Sequence, residues 1–142
     1  MGYINKSLTD NYGTPDYIIE NIKKKHVLSL FDPCPLNDNP LFNGLLIDYP
    51  RDNIIFINPP YSQLKSTKKK GIGWVEKAYN ECLKGSKIIM LLPSRTDTSW
   101  FHTYIYNKYK IEFLKGRIKF KGSNYSAPFP SMLVYFMEYD EI

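Results

Sequence analysis

Cysteine, histidine and long apolar runs are scarce in this 142-residue sequence, and each scarcity excludes a class of protein. Two cysteines are too few for a disulfide framework, and together with only two histidines they argue against a metal site. No stretch approaches the roughly 18 apolar residues of a membrane-spanning helix, and residues 1–10 lack the apolar core of a signal peptide. We therefore expect a cytoplasmic protein with no bound metal ion and no membrane partner.

The composition is that of a folded chain, which we interpret as a single domain covering residues 1–142. Apolar residues make up 43% of the sequence and aromatic residues 15%, well above the level of disordered chains. The length is enough to bury one core but not two. The net charge of +5 permits a polyanionic partner such as DNA without requiring one.

Short apolar runs alternate with amphipathic segments, which predicts an α/β fold. Helices are expected after Thr14, whose hydroxyl would cap the first turn, from Trp74 to Gly85, and from Thr96 or Asp97 onward. Strands are expected at residues 27–31, 45–47, 54–57, 88–92, 111–114, 118–120 and 132–137. Because helices separate most of the strands, the sheet should be mainly parallel with helices on both faces. The last two strands lack an intervening helix and should pair antiparallel, which gives an antiparallel edge strand at the C-terminus.

The motif Asn58-Pro59-Pro60-Tyr61 directly follows a predicted buried strand. Both prolines lack an N–H, and each restricts the residue before it to extended geometry, so the turn is stiff. Such a turn presents the Asn58 side-chain oxygen and the Pro59 carbonyl together, as acceptors for the two hydrogens of an exocyclic amine. This arrangement would aim the amine lone pair of adenine at a methyl donor, while an extruded base stacks on Tyr61. A rigid turn with a packing tyrosine is the alternative interpretation.

Basic residues are concentrated in loops that should face the same side as this motif. Arg95 and Arg117 are two of only three arginines, and a guanidinium binds phosphate with two parallel hydrogen bonds. Solvated loops, or structural ion pairs for the two arginines, are the alternatives. The candidate DNA contacts are Lys68, Lys69, Lys70, Arg95, Arg117 and Lys119.

Five segments, in order along nearly the whole chain, resemble the phage-type DNA N-6-adenine methyltransferases. They are Tyr12-Gly13-Thr14-Pro15, Phe31-Asp32-Pro33-Cys34, Asn58-Pro59-Pro60-Tyr61, residues 91–98, and residues 116–120 with Ala127-Pro128-Phe129-Pro130-Ser131 beyond them. The resemblance implies a Rossmann-like class I fold that uses S-adenosylmethionine. It also implies methyl transfer to the exocyclic amino group of a flipped adenine in DNA.

The same resemblance implies which residues contact the cofactor. Thr14 and Pro15 would lie near its methionine part, Asp32 beneath it, and Asp48 against its ribose or adenine. Judged without the family, Asp32 is either a cofactor acceptor or the first residue of a turn, and Cys34 is a small buried thiol. The full set of candidate cofactor contacts is Tyr12, Thr14, Pro15, Asp32, Pro33, Cys34 and Asp48.

Two other functions stay open at this level. One is methyl transfer to adenine in RNA or to a protein glutamine amide, and the other is a non-catalytic nucleic-acid-binding module of the same fold. The intact motif at Asn58 and the retained Asp32 argue against lost catalysis. No separate target-recognition domain is expected in this length, so short loops or a homodimer would read the DNA site, or specificity would be low.

Overall fold

The computed structural model describes residues 13–35, 43–138 and 142, which form an α/β arrangement around one open sheet. In chain order the elements are α1 (Asp16–Lys25), β1 (Leu30–Phe31), β2 (Ile54–Ile57), α2 (Trp74–Leu83), β3 (Lys87–Pro93), α3 (Ser99–Tyr104), β4 (Lys110–Phe113) and β5 (Ser131–Phe136). Among the described residues, no helix is both long enough and apolar enough to cross a membrane.

The sheet has five strands in the order β1-β2-β3-β5-β4. β1, β2 and β3 pair in parallel, whereas β5 pairs antiparallel with both β3 and β4. The predicted antiparallel pairing of residues 118–120 with residues 132–137 is wrong, because residues 118–120 form no strand and β5 pairs antiparallel with β4 instead. The expectation of an antiparallel strand at the edge is wrong, because β5 lies between β3 and β4. Its six residues are all buried, whereas β4 is half-buried and occupies the edge, as its charged residues favour.

Helices cover both faces of the sheet, as the alternation of elements predicted. On one face Ile18 and Ile22 of α1 pack with Ile54 and Phe56 of β2. On the other face the residues of β2 that point the opposite way pack with α2 and α3. That second core includes Ile55, Ile57, Trp74, Val75, Ala78, Trp100 and Phe101. Both faces of β2 are therefore packed against helices. This packing holds the backbone rigidly at the C-terminal end of β2, where a functional site can be built.

Two predicted strands are absent. At residues 45–47 the backbone N–H of Leu45 bonds the Asn43 side chain at 3.0 Å, and that of Leu46 bonds the Asn43 carbonyl at 3.0 Å. This local turn satisfies the groups that a sheet would otherwise pair. At residues 118–120 the side chains of Ile118 and Phe120 are buried and alternate with exposed neighbours, but no strand in the described part of the chain pairs with them.

Two helices also begin differently from the prediction. Pro15 is the N-cap of α1, and no side chain caps that helix, so the predicted capping role of Thr14 is wrong. The Thr14 hydroxyl bonds Asn58 instead. The helix expected from Thr96 or Asp97 begins at Ser99, where Thr98 caps α3 by accepting the Phe101 N–H at 3.4 Å.

Candidate active site

The motif Asn58-Pro59-Pro60-Tyr61 lies where β2 ends. Because β1, β2 and β3 are parallel, their C-terminal ends meet at one edge of the sheet. Asp32 follows β1 at this edge, and Arg95 follows β3 two residues after its end. In open α/β sheets this edge is where ligands bind.

Pro59 and Pro60 give the motif its shape. Pro59 is buried, and Pro60 takes an extended conformation (φ −63°, ψ 126°) at the start of a short 3-10 turn over Tyr61–Gln63. The Gln63 N–H closes this turn on the Pro60 carbonyl at 3.0 Å. The turn therefore sets the direction in which the chain leaves the sheet at Tyr61.

A cavity of about 250 Å³ opens beside the motif, and we call it the aromatic cavity. Tyr61, Phe120 and Phe129 form its walls, with the Tyr61 ring packed edge-on against Phe120 at 6.4 Å and Phe129 at 5.6 Å between centroids. Its lining residues are Asn58, Pro59, Tyr61, Phe120, Ser123, Tyr125, Ser126, Ala127, Pro128 and Phe129. A site walled by rings and lined by Asn58 suits a planar aromatic ligand that carries an amine.

The Tyr61 hydroxyl is buried and has no hydrogen-bond partner within the described part of the chain. Burial raises the pKa of this phenol above its ordinary value, and the nearby charge of Arg95 lowers it by less. Tyr61 therefore stays protonated at neutral pH and contributes its ring, not a charge.

A second cavity of about 320 Å³ lies on the other side of Asn58, and we call it the acidic cavity. Asp16 and Asp32 give it two carboxylates, and Asp16 forms an ion pair with Lys121 at 2.5 Å. Its lining residues are Gly13, Thr14, Asp16, Ile19, Asp32, Cys34, Pro35, Phe56, Asn58 and Lys121. Asn58 lines both cavities, so its side chain stands at their boundary.

The Asn58 side chain is held at that boundary by a hydrogen bond. Its Nδ2 donates to the Thr14 hydroxyl oxygen at 3.0 Å, across 44 positions of sequence. Since Thr14 lines only the acidic cavity, the bonded end of the amide lies on that side.

The structure brings three of the seven predicted cofactor residues to the acidic cavity. Thr14, Asp32 and Cys34 line it, whereas the buried Pro15 and Pro33 are their neighbours in sequence. Tyr12 lies outside the described residues.

The chemistry of Asp32 and Cys34 is set by partial burial at the end of β1. Desolvation raises the pKa of the Asp32 carboxyl, and the Cys34 backbone N–H, which bonds that carboxyl at 2.8 Å, lowers it by less. Burial and the charge of Asp32 raise the pKa of the Cys34 thiol to about 12. A thiol with such a pKa is not a nucleophile at neutral pH, which agrees with the interpretation of Cys34 as a packing residue.

The structure does not bring Asp48 to either cavity. Its exposed carboxylate pairs with Lys84 at 3.4 Å, just beyond α2 and three residues before β3 begins. The start of β3 and the end of β2 are at opposite edges of the parallel sheet, so Asp48 lies away from Asn58. A ribose contact for Asp48 stays a prediction from the resemblance, without support from this position.

The candidate DNA contacts are all exposed. Residues 68–70 form the tip of a small turn closed by two hydrogen bonds between Thr67 and Gly71, at 2.9 and 2.8 Å. Arg95 lies beside the aromatic cavity, with its guanidinium carbon 5.9 Å from the Phe129 ring centroid. Arg117 and Lys119 alternate with the buried Ile118 and Phe120, so they point away from the cavity wall that Phe120 forms.

Sequence reasoning missed the residues that close the aromatic cavity, above all Phe120, Tyr125 and Phe129. They come from the segment between β4 and β5, far from the motif in sequence. Two signals pointed to this segment: the apolar alternation at residues 117–120, and the Ala127-Pro128-Phe129 element of the resemblance. Neither showed that the segment folds over Asn58.

The chain has no match among curated proteins or among solved structures. A family model described as DNA N-6-adenine-methyltransferase (Dam) matches residues 2–140, nearly the whole chain. The motif at the end of β2 and the family match agree, and the chain belongs to the DNA N-6-adenine-methyltransferase (Dam) family.

Proposed function

We propose that this protein transfers a methyl group from S-adenosylmethionine to the exocyclic amino group of an adenine flipped out of DNA. The observation that carries the proposal is the position of Asn58, which follows a buried central strand and lines both cavities. One cavity is suited to the base and the other to the cofactor. The reacting atoms would then meet beside one rigid amide.

Asn58 and Pro59 supply the acceptors that the base requires. The amine of adenine is a poor nucleophile because its lone pair is delocalised into the ring. Asn58 Oδ1 and the Pro59 carbonyl oxygen would accept hydrogen bonds from its two hydrogens, which localises the lone pair and aims it across the boundary between the cavities. Once methylated, the amine would lose one of these protons to solvent, and S-adenosylhomocysteine would be the leaving group. The gain comes from orientation and electrostatics, with no strong base.

The aromatic cavity accounts for binding of the base. Tyr61 presents a ring for stacking, which contributes roughly 1–3 kcal/mol per base in comparable sites. Phe120 and Phe129 hold the Tyr61 ring from its edges. Because the cavity is a recess behind Tyr61, Phe120 and Phe129, we expect an adenine in a duplex to reach it only by leaving the base stack.

The acidic cavity fits the expected cofactor. Its volume of about 320 Å³ lies at the lower end for small-molecule sites, and Asp16 and Asp32 offer acceptors for an ammonium group or for hydroxyls. When bound, S-adenosylmethionine supplies a methyl group activated by a positive sulfonium. Thr14, Asp32 and Cys34 are the residues that would hold it.

The architecture supports a Rossmann-like class I methyltransferase fold. Three parallel strands with helices on both faces place Asp32 and Asn58 at one edge of the sheet. Since the family match covers residues 2–140, we propose that one domain carries the whole activity.

DNA is favoured over the alternative acceptors by the family match and by charge. Arg95 and residues 68–70 are exposed cations that phosphate groups would neutralise. Adenine in RNA and a protein glutamine amide present similar amines, so the geometry at Asn58 alone does not separate them from DNA.

Methyl-labelled S-adenosylmethionine supplied with duplex DNA, RNA or a glutamine-rich protein tests this proposal. We expect label in DNA and a fall in kcat of about 100-fold or more for Asn58→Ala. Asn53→Ala is the matched control, because Asn53 precedes the same strand and its amide bonds Ser29 at 2.8 Å at the opposite edge. Label confined to RNA or protein would refute the DNA assignment, and equal rates for the two variants would refute the role of Asn58.

A further inference from the structure

We propose that Thr14 is a positioning residue for Asn58, acting through its hydroxyl on the orientation of the catalytic amide. This inference rests on the proposed function of Asn58 and goes beyond it, because Thr14 was expected only as a cofactor contact or a helix cap. The carrying observation is the 3.0 Å hydrogen bond from Asn58 Nδ2 to Thr14 Oγ1.

The two ends of a carboxamide are chemically different, and only one of them serves this reaction. The oxygen accepts hydrogen bonds from an amine. The NH2 group is itself a donor, so it would face the N–H groups of that amine without forming a hydrogen bond. A hydroxyl is able to accept or to donate, and here the Thr14 hydroxyl accepts from Nδ2. The bond therefore holds Nδ2 on the acidic-cavity side, and in the proposed reaction Oδ1, the other end of the amide, would be the end that accepts from an amine in the aromatic cavity.

Thr14 itself is held from both sides. The preceding residue, Gly13, exchanges two backbone hydrogen bonds with Lys121, at 3.1 and 2.9 Å. Beyond Thr14, Pro15 begins α1, and Asp16 forms an ion pair with Lys121. The hydroxyl is thus attached to a short segment fixed at two points, which is what a positioning group requires.

The same attachment links the two cavities. Lys121 lines the acidic cavity, and its neighbour Phe120 is a wall of the aromatic cavity. The Gly13–Lys121 pairing therefore places the hydroxyl of Thr14, the amide of Asn58 and the ring of Phe120 in one connected unit. A substitution at Thr14 would therefore alter the orientation of the Asn58 amide, and through it the position of the reacting amine, without a direct contact between Thr14 and the base.

The local sequence supports a dedicated role for this hydroxyl. A threonine followed by proline is typical of a helix N-cap, but in this structure Pro15 takes the N-cap position and has no side-chain cap hydrogen bond. The helix forgoes a cap that commonly stabilises such ends, and the hydroxyl is bonded to Asn58 instead.

Kinetics of Thr14→Val and Thr14→Ser on DNA test the inference. Thr14→Val keeps the shape and removes the hydroxyl, so we expect kcat at saturating S-adenosylmethionine to fall about 10- to 100-fold, a larger effect than any accompanying loss of S-adenosylhomocysteine affinity. Thr14→Ser restores the hydroxyl and should recover most of the loss. A wild-type kcat in Thr14→Val, or a loss confined to S-adenosylhomocysteine binding, would overturn the positioning role. Thr14→Ala serves in place of Thr14→Val if the melting temperature shows that the valine variant does not fold.

A second readout separates this inference from the proposed function. The side-chain NH2 signals of Asn58 in a nitrogen–proton NMR spectrum are assigned by their loss in Asn58→Ala. They should move in Thr14→Val and stay close to the wild-type position in Thr14→Ser, whether or not DNA is methylated. Unchanged Asn58 signals in Thr14→Val would refute the hydrogen bond, whereas moved signals in a protein that fails to methylate DNA would refute only the proposed function.

Discussion

The guanidinium carbon of Arg95 lies 5.9 Å from the centroid of the Phe129 ring, so the loop after β3 touches the wall of the aromatic cavity. Arg95 is exposed, and its guanidinium lies beside Phe129, a wall of the proposed base site. We expect a DNA phosphate next to a flipped nucleotide to bind the guanidinium of Arg95.

Arg95→Ala should weaken DNA binding and make it less dependent on salt. One lost phosphate contact lowers the slope of log K against log salt by about 1. Arg51→Ala is the control, because Arg51 bonds the Lys84 carbonyl at the opposite edge of the sheet. Fluorescence anisotropy across a salt series measures the affinity and the salt slope of both variants. Identical slopes for Arg95→Ala and the wild type would contradict a phosphate contact.

The lysines at residues 68–70 should contact DNA as a group. Replacing all three with glutamine should lower the salt slope by up to about 3 and weaken binding to any DNA sequence alike. Residues 23–25 offer a matched control, because they are three exposed lysines at the C-terminal end of α1, away from the Thr14 end of that helix. If both triple variants lose the same affinity, the effect is one of net charge and not of this turn.

Tyr61 should act through its ring. Tyr61→Ala removes the stacking surface and should lower kcat/KM by about 10- to 100-fold, in line with roughly 1–3 kcal/mol per stacked base. Tyr61→Phe removes a buried hydroxyl that has no hydrogen-bond partner in the described part of the chain, so its melting temperature should equal or exceed that of the wild type. A clear drop in melting temperature for Tyr61→Phe would show that the hydroxyl is bonded after all.

Glu81 should be the main polar contributor to stability outside the site. Its buried carboxylate accepts the Tyr49 backbone N–H at 2.7 Å and pairs with Lys77 at 3.3 Å and Lys84 at 3.1 Å. Glu81→Ala leaves Lys77 buried without its charge partner, which should cost about 3–5 kcal/mol in the free energy of unfolding. Urea titration measures this cost, and the exposed Glu20→Ala should change little.

Ionisation of the Glu81 carboxyl should also make the free energy of unfolding depend on pH in the acid range. Burial raises the pKa of Glu81, but hydrogen bonds from Tyr49, Lys84 and Lys77 lower it further, so the folded-state pKa lies below the ordinary 4.5. A depressed folded-state pKa gives stability that is present above the unfolded-state pKa and is lost as the pH falls through the folded-state value. The wild type should therefore lose its advantage over Glu81→Gln below about pH 4.5, and a constant difference down to pH 3 would contradict this.

The sequence correctly predicted the helices and strands that are determined by neighbouring residues. The apolar residues 54–57 and the two prolines after them predicted both β2 and the rigid turn at Asn58. The helical spacing from Trp74 predicted α2, and Gly85, at φ +109°, follows its end as expected. In each case neighbouring residues are sufficient to determine the geometry.

Features that depend on distant contacts were not predictable in this way. The bond between Thr14 and Asn58 spans 44 positions, and no local pattern distinguishes it from a helix cap. Leu45 has strand-forming neighbours, yet the Asn43 side chain binds its N–H. Asp48 follows an apolar run as a cofactor contact would, but Lys84 holds it at the opposite edge of the sheet.

The identity of the methylated nucleoside tests the central claim most directly. DNA treated with the protein and S-adenosylmethionine is digested and its nucleosides are separated by mass spectrometry, with Asn58→Ala in parallel. The account predicts N-6-methyldeoxyadenosine from the wild type and almost none from the variant. Methylation of the cytosine amine, or equal amounts of methyladenine from both proteins, would contradict it.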